Sequence, residues 1–443
     1  MPTASRERRF VALGFLAVVV VRLLVVELAF RGPYNPYELP GDMRLYVALG
    51  ISLERGEGFS IHYAPLLRQI SPNLSAARAA MPPAPTFRRF IGYPLFLAGV
   101  FSIVGYNLHV VLWLQAIVSA VTALIVYFLA REVGNKTSAA MAFALAIVYY
   151  PMALDAAFLL PETLVSFWIT LGAYTIVRYV KDPGVRTGLW SGLVIGVAVV
   201  VKATALPLAP IGLGLAYLRK GRARAATVGA LAFVAVMAVV LAPVAIRNHH
   251  ALGRFSFLPS YSGSQLIQLQ NPYNDQPGLY LRPGWVNGGF AGLRRAFAEA
   301  TAQAGFPANA TPNEYELDDA YARYAWAFMV RDPVQALRNA GLSFVNLWRL
   351  DYREANWVRK TSNWICYVAM VPFFFLGSWT AVRRVNPMAL VLVLFVASFV
   401  IMHAIVAAEM RYRTGVMPVF FVLAGLGLAG EWFRSGGSRA IDD

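Results

Sequence analysis

The sequence is short of charge, almost free of cysteine and nearly without lysine. Only 14% of its 443 residues are Asp, Glu, Lys or Arg, against about 25% in a soluble domain. With 58% hydrophobic residues and a mean hydropathy of +0.54, that deficit excludes a soluble globular protein, a disordered chain and a collagen. One cysteine, Cys366, excludes an intramolecular disulfide and reads as a small packing residue in an apolar run. Neither a G-x-x-x-x-G-K-[ST] loop nor a G-x-G-x-x-G turn between strand and helix occurs, which argues against an ATP-driven pump. The GLGLAG run at 425–430 lies inside an apolar stretch and reads as close helix packing. The five histidines (His62, His109, His249, His250 and His403) form no i,i+4 pair and have no cysteine partners. No metal motif is present, although nothing in the sequence forbids a divalent ion.

What the sequence has in excess is apolar runs. They recur near 10–30, 108–130, 137–154, 162–180, 186–201, 203–218, 225–246, 363–382, 387–407 and 415–433, with a shorter run at 90–105 interrupted by Gly92 and Pro94. Runs of about 20 residues cross a bilayer. The first follows a charged flank, MPTASRERRF, but is too long for a signal peptide and lacks an A-x-A exit, so it reads as an uncleaved span. If the 90–105 run does not cross fully, Arg6, Arg8, Arg9, Arg131, Lys136, Arg178, Lys181, Arg186, Arg219, Lys220, Arg222, Arg224, Arg383, Arg384, Arg434 and Arg439 all fall on one side. The opposite short loops hold Lys202, Arg411 and Arg413. The positive-inside rule selects this parity. The expectation is an all-α polytopic membrane protein of about ten transmembrane helices plus one half-length segment, with both termini cytoplasmic.

Two larger outer segments follow, about 31–107 and 247–360. The net charge of +16 comes from 39 basic and 23 acidic residues, and only five of the basic ones are lysine. Positive-inside does not explain the arginines of the outer segments. Arginine grips phosphate oxygens in pairs, while solvated loops or contact with anionic lipid would need the same charges. Nucleic acid is not required. The outer segment 247–360 is expected to form a small helical domain, with residues 316–348 as its helical part. The chain thus divides into an N-terminal transmembrane module, 1–246, the outer domain 247–360, and C-terminal transmembrane helices, 361–443.

Few residues can do chemistry. In GDMRLYVALGISLERGEGFS, Asp42 stands at the start of a helical pattern with Tyr46, Leu49 and Leu53 on one face. It serves either as a cap or as an interfacial general base. Glu162 opens a span after Pro161, with Asp155 seven residues earlier. Lys202 lies between two runs, and Glu409, Arg411, Tyr412 and Arg413 cluster before the last one. Charges at membrane depth usually face a cavity or a partner, and all of these share one side.

Five stretches in order resemble the polytopic glycosyltransferases of the GT-C fold, among them bacterial relatives of protein O-mannosyltransferases and of the lipid A aminoarabinose transferase. They are GDMRLYVALGISLERGEGFS; RRFIGYPLFLAGVFSIVGYN, with Ile91 where proline is usual; DAAFLLPETLVSFW; APVAIRNHHALGRFSFLPSYSGSQLIQLQNPYN; and EMRYRTGVMPVFFVLAGLGL. The sequence departs from the family where Met43 follows Asp42 in place of a second acidic residue, and where Lys202 replaces an arginine. The resemblance implies a multi-pass enzyme that moves a sugar from a polyprenyl-phosphate donor to an acceptor hydroxyl at the outer face of a bacterial plasma membrane. It implies Asp42 as catalytic base. Glu162, Asp155, Tyr46, Arg89, Lys202, Arg247, Asn248, Arg411, Tyr412 and Arg413 would bind substrate, with Tyr261, Tyr273, Tyr280 and Trp285 as sugar-stacking candidates. A flippase of lipid-linked sugars or a non-catalytic envelope protein would share many of these features. No internal repeat of the kind common in transporters is present.

Overall fold

A computed structural model describes residues 2–29, 39, 41–61, 84–273, 291–307, 312–348, 357–406 and 410–430. Within the described residues the apolar runs fold mainly as helix. In chain order the membrane-type helices are α1 (Pro2–Ala29), α3 (Gly92–Val104), α4 (Leu108–Val133), α5 (Lys136–Val148), α6 (Tyr150–Asp155), α7 (Glu162–Lys181), α8 (Val185–Val201), α9 (Leu208–Tyr217), α10 (Ala223–Leu252), α15 (Trp357–Arg383), α16 (Pro387–Ile405) and α17 (Met417–Leu428). Five segments among the described residues are long and apolar enough to cross a membrane: Ser5–Ala29, Leu108–Val133, Glu162–Lys181, Ala223–Leu252 and Pro387–Ile405. α3, with 13 residues, extends about 20 Å and falls short of a hydrocarbon core about 30 Å thick.

The run at 137–154 is broken. Its backbone turns extended at Tyr149, and Pro151 in the next turn has no N–H to continue the ladder. The break exposes carbonyls at the end of α5. Arg22 of α1 covers them, donating from Nη2 to the Ala146 carbonyl at 2.8 Å and from Nη1 to that of Tyr149 at 3.5 Å. Arg22 is fully buried, with the Asp155 carboxylate in electrostatic reach.

Small residues set the tightest packing. Gly188, Gly192 and Gly196 form one ridge of α8 facing α10. A Cβ at Gly188 would stand 2.1 Å from the Gly229 carbonyl oxygen, and one at Gly192 2.3 Å from that of Phe233. This close backbone approach is how helices associate where burial from water offers no drive.

The other elements gather at one end of the bundle. α2 (Gly41–Glu54) packs on α3, and a two-residue antiparallel pair joins β1 (Ser60–Ile61) to β2 (Ala84–Pro85). α11 (Ser262–Leu269), α12 (Ala291–Gln303), α13 (Glu314–Arg331) and α14 (Pro333–Leu347) follow α10. The expected helical stretch 316–348 is therefore two helices, split at Asp332, whose side chain caps the second by accepting from the Gln335 amide. α13 opens with a capping box of Asn313 and Glu316. α11 has no local cap. Asp318 of α13 supplies one, accepting from the Gly263 and Ser264 amides at 2.9 and 2.8 Å.

Candidate active site

Asp42 lies in the first turn of α2, which begins at Gly41 with φ +55°. Its carboxylate does not cap that helix. One oxygen accepts from Arg89 Nη2 at 3.0 Å and the other from Arg411 Nη2 at 2.7 Å. Burial pushes the Asp42 carboxyl up, but the two guanidinium charges and their hydrogen bonds outweigh it, and the net direction is down. Asp42 is thus an ionised carboxylate held between two cations. Burial also raises the nearby Tyr46 hydroxyl, which stays protonated.

Arg89 follows β2 in a short extended segment that other residues fix. Arg247, at the end of α10, donates from Nη2 to the carbonyls of Thr86 at 2.9 Å and Phe59 at 3.3 Å. Its guanidinium lies 4.3 Å from the Phe87 ring centre and 5.0 Å from that of Phe59. From the other direction, Glu314 of α13 accepts from the Phe87 amide at 2.6 Å, the Ser260 hydroxyl at 3.1 Å and the Thr86 hydroxyl at 3.2 Å. The segment carrying Arg88 and Arg89 is therefore tied to both α10 and α13. Arg89 in turn lies over the Tyr261 ring at 4.8 Å.

Glu162 is the first residue of α7 and is 4% exposed. The preceding hairpin is pinned by Gln115 of α4, whose amide donates to the carbonyls of Ala156 at 3.0 Å and Phe158 at 2.7 Å. Tyr93 donates to the Gln115 carbonyl oxygen at 2.7 Å, and its ring meets Tyr46 edge-on at 5.4 Å. One Glu162 oxygen approaches Arg411 Nε at 3.5 Å, an ion-pair contact and not a hydrogen bond. The other is buried and accepts no hydrogen bond from the described residues. Arg411 and Tyr412 sit on a 3-10 turn, Met410–Gly415, tied to α7 by the Ser166 hydroxyl, which donates to the Thr414 carbonyl at 3.0 Å. Lys202, at the break between α8 and a short 3-10 turn, places its ammonium 4.1 Å from the Tyr412 ring centre.

These residues line one cavity of about 610 Å³. Asp42, Tyr46, Arg89, Glu162, Lys202, Arg411 and Tyr412, read from five separate sequence stretches, all reach it. Tyr261 does as well. Among the described residues, the cavity lining holds four basic side chains, Arg88, Arg89, Lys202 and Arg411, against the carboxylates of Asp42 and Glu162. The rest is largely apolar, with Leu206, Pro207, Pro210, Met402 and Val406 among the lining. An excess of two positive charges within an apolar lining suits a phosphate joined to a hydrocarbon chain.

Other expected site residues stand elsewhere. Arg247 and Asn248 face a small adjoining space; Arg247 clamps the arginine segment, and Asn248 donates to the Ser256 carbonyl and the Tyr315 hydroxyl. Arg413 is buried under Tyr367 and donates to the Leu347 carbonyl. Asp155 lies in a separate buried nook with Ser119, Thr122 and Thr163. Tyr273 donates to Glu299 of α12, while Tyr280, Trp285 and Glu409 fall outside the described residues. Glu314 and Gln115 were not singled out from the sequence, because their partners lie 227 and 41–43 residues away with no local pattern to mark them. Among the described residues, no group of three His, Cys, Asp or Glu side chains could hold a metal ion.

Residues 89–246 match the family model described as dolichyl-phosphate-mannose-protein mannosyltransferase. The fold is similar to the archaeal oligosaccharyltransferase AglB from Archaeoglobus fulgidus, solved with an inhibitory peptide and a dolichol-phosphate, at a TM-score of 0.52 and 14% identity over 97% of this chain. The chain spans about half the length of that protein, 52%. ArnT from Cupriavidus metallidurans, solved with undecaprenyl phosphate, matches at a TM-score of 0.43 and 13% identity over 95% of this chain and 78% of its own. A search of curated proteins finds no match. Family model and fold agree with the resemblance drawn from the sequence: the chain is similar to the polytopic membrane glycosyltransferases of the GT-C type.

Proposed function

We propose that the protein transfers a sugar from a polyprenyl-phosphate donor to an acceptor hydroxyl, with Asp42 as general base and inversion at the anomeric carbon. The observation that carries this reading is the convergence of Asp42, Glu162 and four basic side chains on one cavity with a largely apolar lining. The apolar lining accommodates the first isoprenoid units of the donor. Arg89, Lys202 and Arg411 hold its phosphate, and Glu162, whose second oxygen is open to a donor group, orients the sugar or acceptor.

In the reaction the acceptor oxygen forms a bond to the anomeric carbon as its proton passes to Asp42. The bond from that carbon to the phosphate oxygen breaks, and its electron pair leaves on the polyprenyl phosphate. Negative charge grows on the phosphate as the bond breaks, and fixed cations stabilise it there. Phosphate oxygens compete with Asp42 for the Arg89 and Arg411 donors, so donor binding frees the carboxylate to take a proton. About ten spans plus the half-length α3, cytoplasmic termini and a cavity open to the outside of a bacterial plasma membrane complete the reading. It keeps the outer domain at 247–360 between the transmembrane modules 1–246 and 361–443.

The test uses the purified full chain in lipid nanodiscs and proteoliposomes, supplied with a radiolabelled polyprenyl-phosphate sugar and an envelope acceptor extract. Label entering an acceptor supports the enzyme. Translocation of labelled lipid without transfer replaces it with a flippase, and neither event leaves a non-catalytic protein.

A further inference from the structure

Among the described residues, Asp42 and Glu162 are the two carboxylates that line the cavity, and they come from α2 and α7. Both address one guanidinium: Arg411 Nη2 lies 2.7 Å from Asp42 Oδ2, and Arg411 Nε lies 3.5 Å from Glu162 Oε1. Two carboxylates from separate elements converging on one point form an oxygen set of the kind that gathers magnesium, manganese or calcium. In this chain the point is taken by a side chain. Arg89 donates to the other Asp42 oxygen at 3.0 Å, so both oxygens of that carboxylate are engaged by guanidinium donors.

Arg411 is built to stay. Its turn is bonded to α7 through Ser166 and Thr414, so the turn and Glu162 share one support. Its guanidinium lies 5.5 Å from the Tyr412 ring centre, and its side chain is 15% exposed. Three further cations, Arg88, Arg89 and Lys202, line the same space. An arginine also differs from a metal in kind. Its charge is permanent at any physiological pH, and its donors have fixed directions.

We infer that Arg411 is a resident cation standing between Asp42 and Glu162 in the position a divalent ion would take, and that the site works without such an ion. The inference rests on the proposed transfer reaction for its catalytic consequence alone. Removing the guanidinium leaves two facing carboxylates, which then become a divalent-cation site.

Mn²⁺ alone is the probe, titrated into the full chain in nanodiscs and followed by electron paramagnetic resonance. The wild type is expected to show no cavity-bound Mn²⁺, and its transfer is expected to be unchanged in EDTA. Arg411→Ala should bind Mn²⁺ at least about tenfold more tightly than the wild type, and the double variant Asp42→Asn, Arg411→Ala should lose that gain. Arg411→Leu serves the same purpose if the alanine variant does not fold. Tight Mn²⁺ binding by the wild type that Asp42→Asn removes, EDTA-sensitive transfer restored by Mn²⁺, or a folded Arg411 variant with no tighter binding would each overturn the inference. If the wild type transfers no sugar under any condition, the proposed function falls, and the Mn²⁺ titration still decides this point.

Discussion

Substituting Glu314 by alanine tests whether α13 holds the arginine segment in place. The carboxylate accepts three hydrogen bonds, from the Phe87 amide at 2.6 Å, the Ser260 hydroxyl at 3.1 Å and the Thr86 hydroxyl at 3.2 Å. The two hydroxyls can turn to other partners. The Phe87 amide cannot, and the ring of its own residue is 4% exposed. A hydrogen bond to a charged group contributes about 1.5–3 kcal/mol. At about 1.36 kcal/mol per decade, the loss raises local opening of the 84–90 segment roughly tenfold to a hundredfold. Hydrogen exchange of the peptide covering Phe87 reads this directly, and it avoids a global melt that a large membrane protein does not undergo reversibly. The same variant should raise the KM for donor more than it lowers kcat, because Arg88 and Arg89 lose their register while Asp42 keeps its Arg411 partner. Unchanged exchange at residues 84–90, with an unchanged donor KM, would refute the idea that Glu314 orders this segment.

Three further outcomes are expected. Asp42→Asn should lower transfer by about 10²–10⁴-fold with donor binding retained, measured by label transfer beside filter binding of the donor. Arg247→Lys keeps the charge but loses the planar fork that holds Asn248 with one arm and the Phe59 and Thr86 carbonyls with the other, so the 59–61 and 84–87 segments should exchange faster while Asp42 chemistry keeps its pH profile. Glu299 accepts from Tyr273, Tyr324 and Arg295, which hold its carboxyl down at about 2. Its contribution is therefore present above the ordinary carboxylate range and lost as pH falls from about 4 toward about 2. Pepsin cleavage near Ala291–Gln303 should rise steeply across that window in the wild type, whereas Glu299→Gln should be cleaved readily throughout it.

The apolar runs were legible because a bilayer imposes a length and a composition that any window detects. The break at Tyr149 was less so; Pro151 hinted at it, but the register of the break depends on Arg22, 124 residues from the carbonyl it covers. At the cavity, the sequence supplied the residue types with charge to spare. Which of them meet was not legible, because Arg89 and Arg247 look alike in sequence and differ only in what surrounds them. Arg89 reaches Asp42, whereas Arg247 is sandwiched between Phe59 and Phe87. Asp42 as a cap was a sound local reading, yet two distant arginines outcompete the backbone amides of its own helix. Long-range pairing of this kind leaves no periodic trace.

Arg22 also sets a condition on how the protein is made. It sits in the first span, whereas the carbonyls it serves belong to residues 146 and 149. At about 5–20 residues per second of synthesis, the 124-residue separation corresponds to roughly 6–25 s between the two. During that interval the arginine lacks its acceptors. At a helix centre it would cost about 2.5–3.5 kcal/mol of insertion free energy, an upper bound for Arg22 toward the C-terminal end of Ser5–Ala29, which the strongly apolar remainder has to offset. The first span is therefore a helix waiting for its partner, and membrane insertion of this chain stays provisional until α5 arrives.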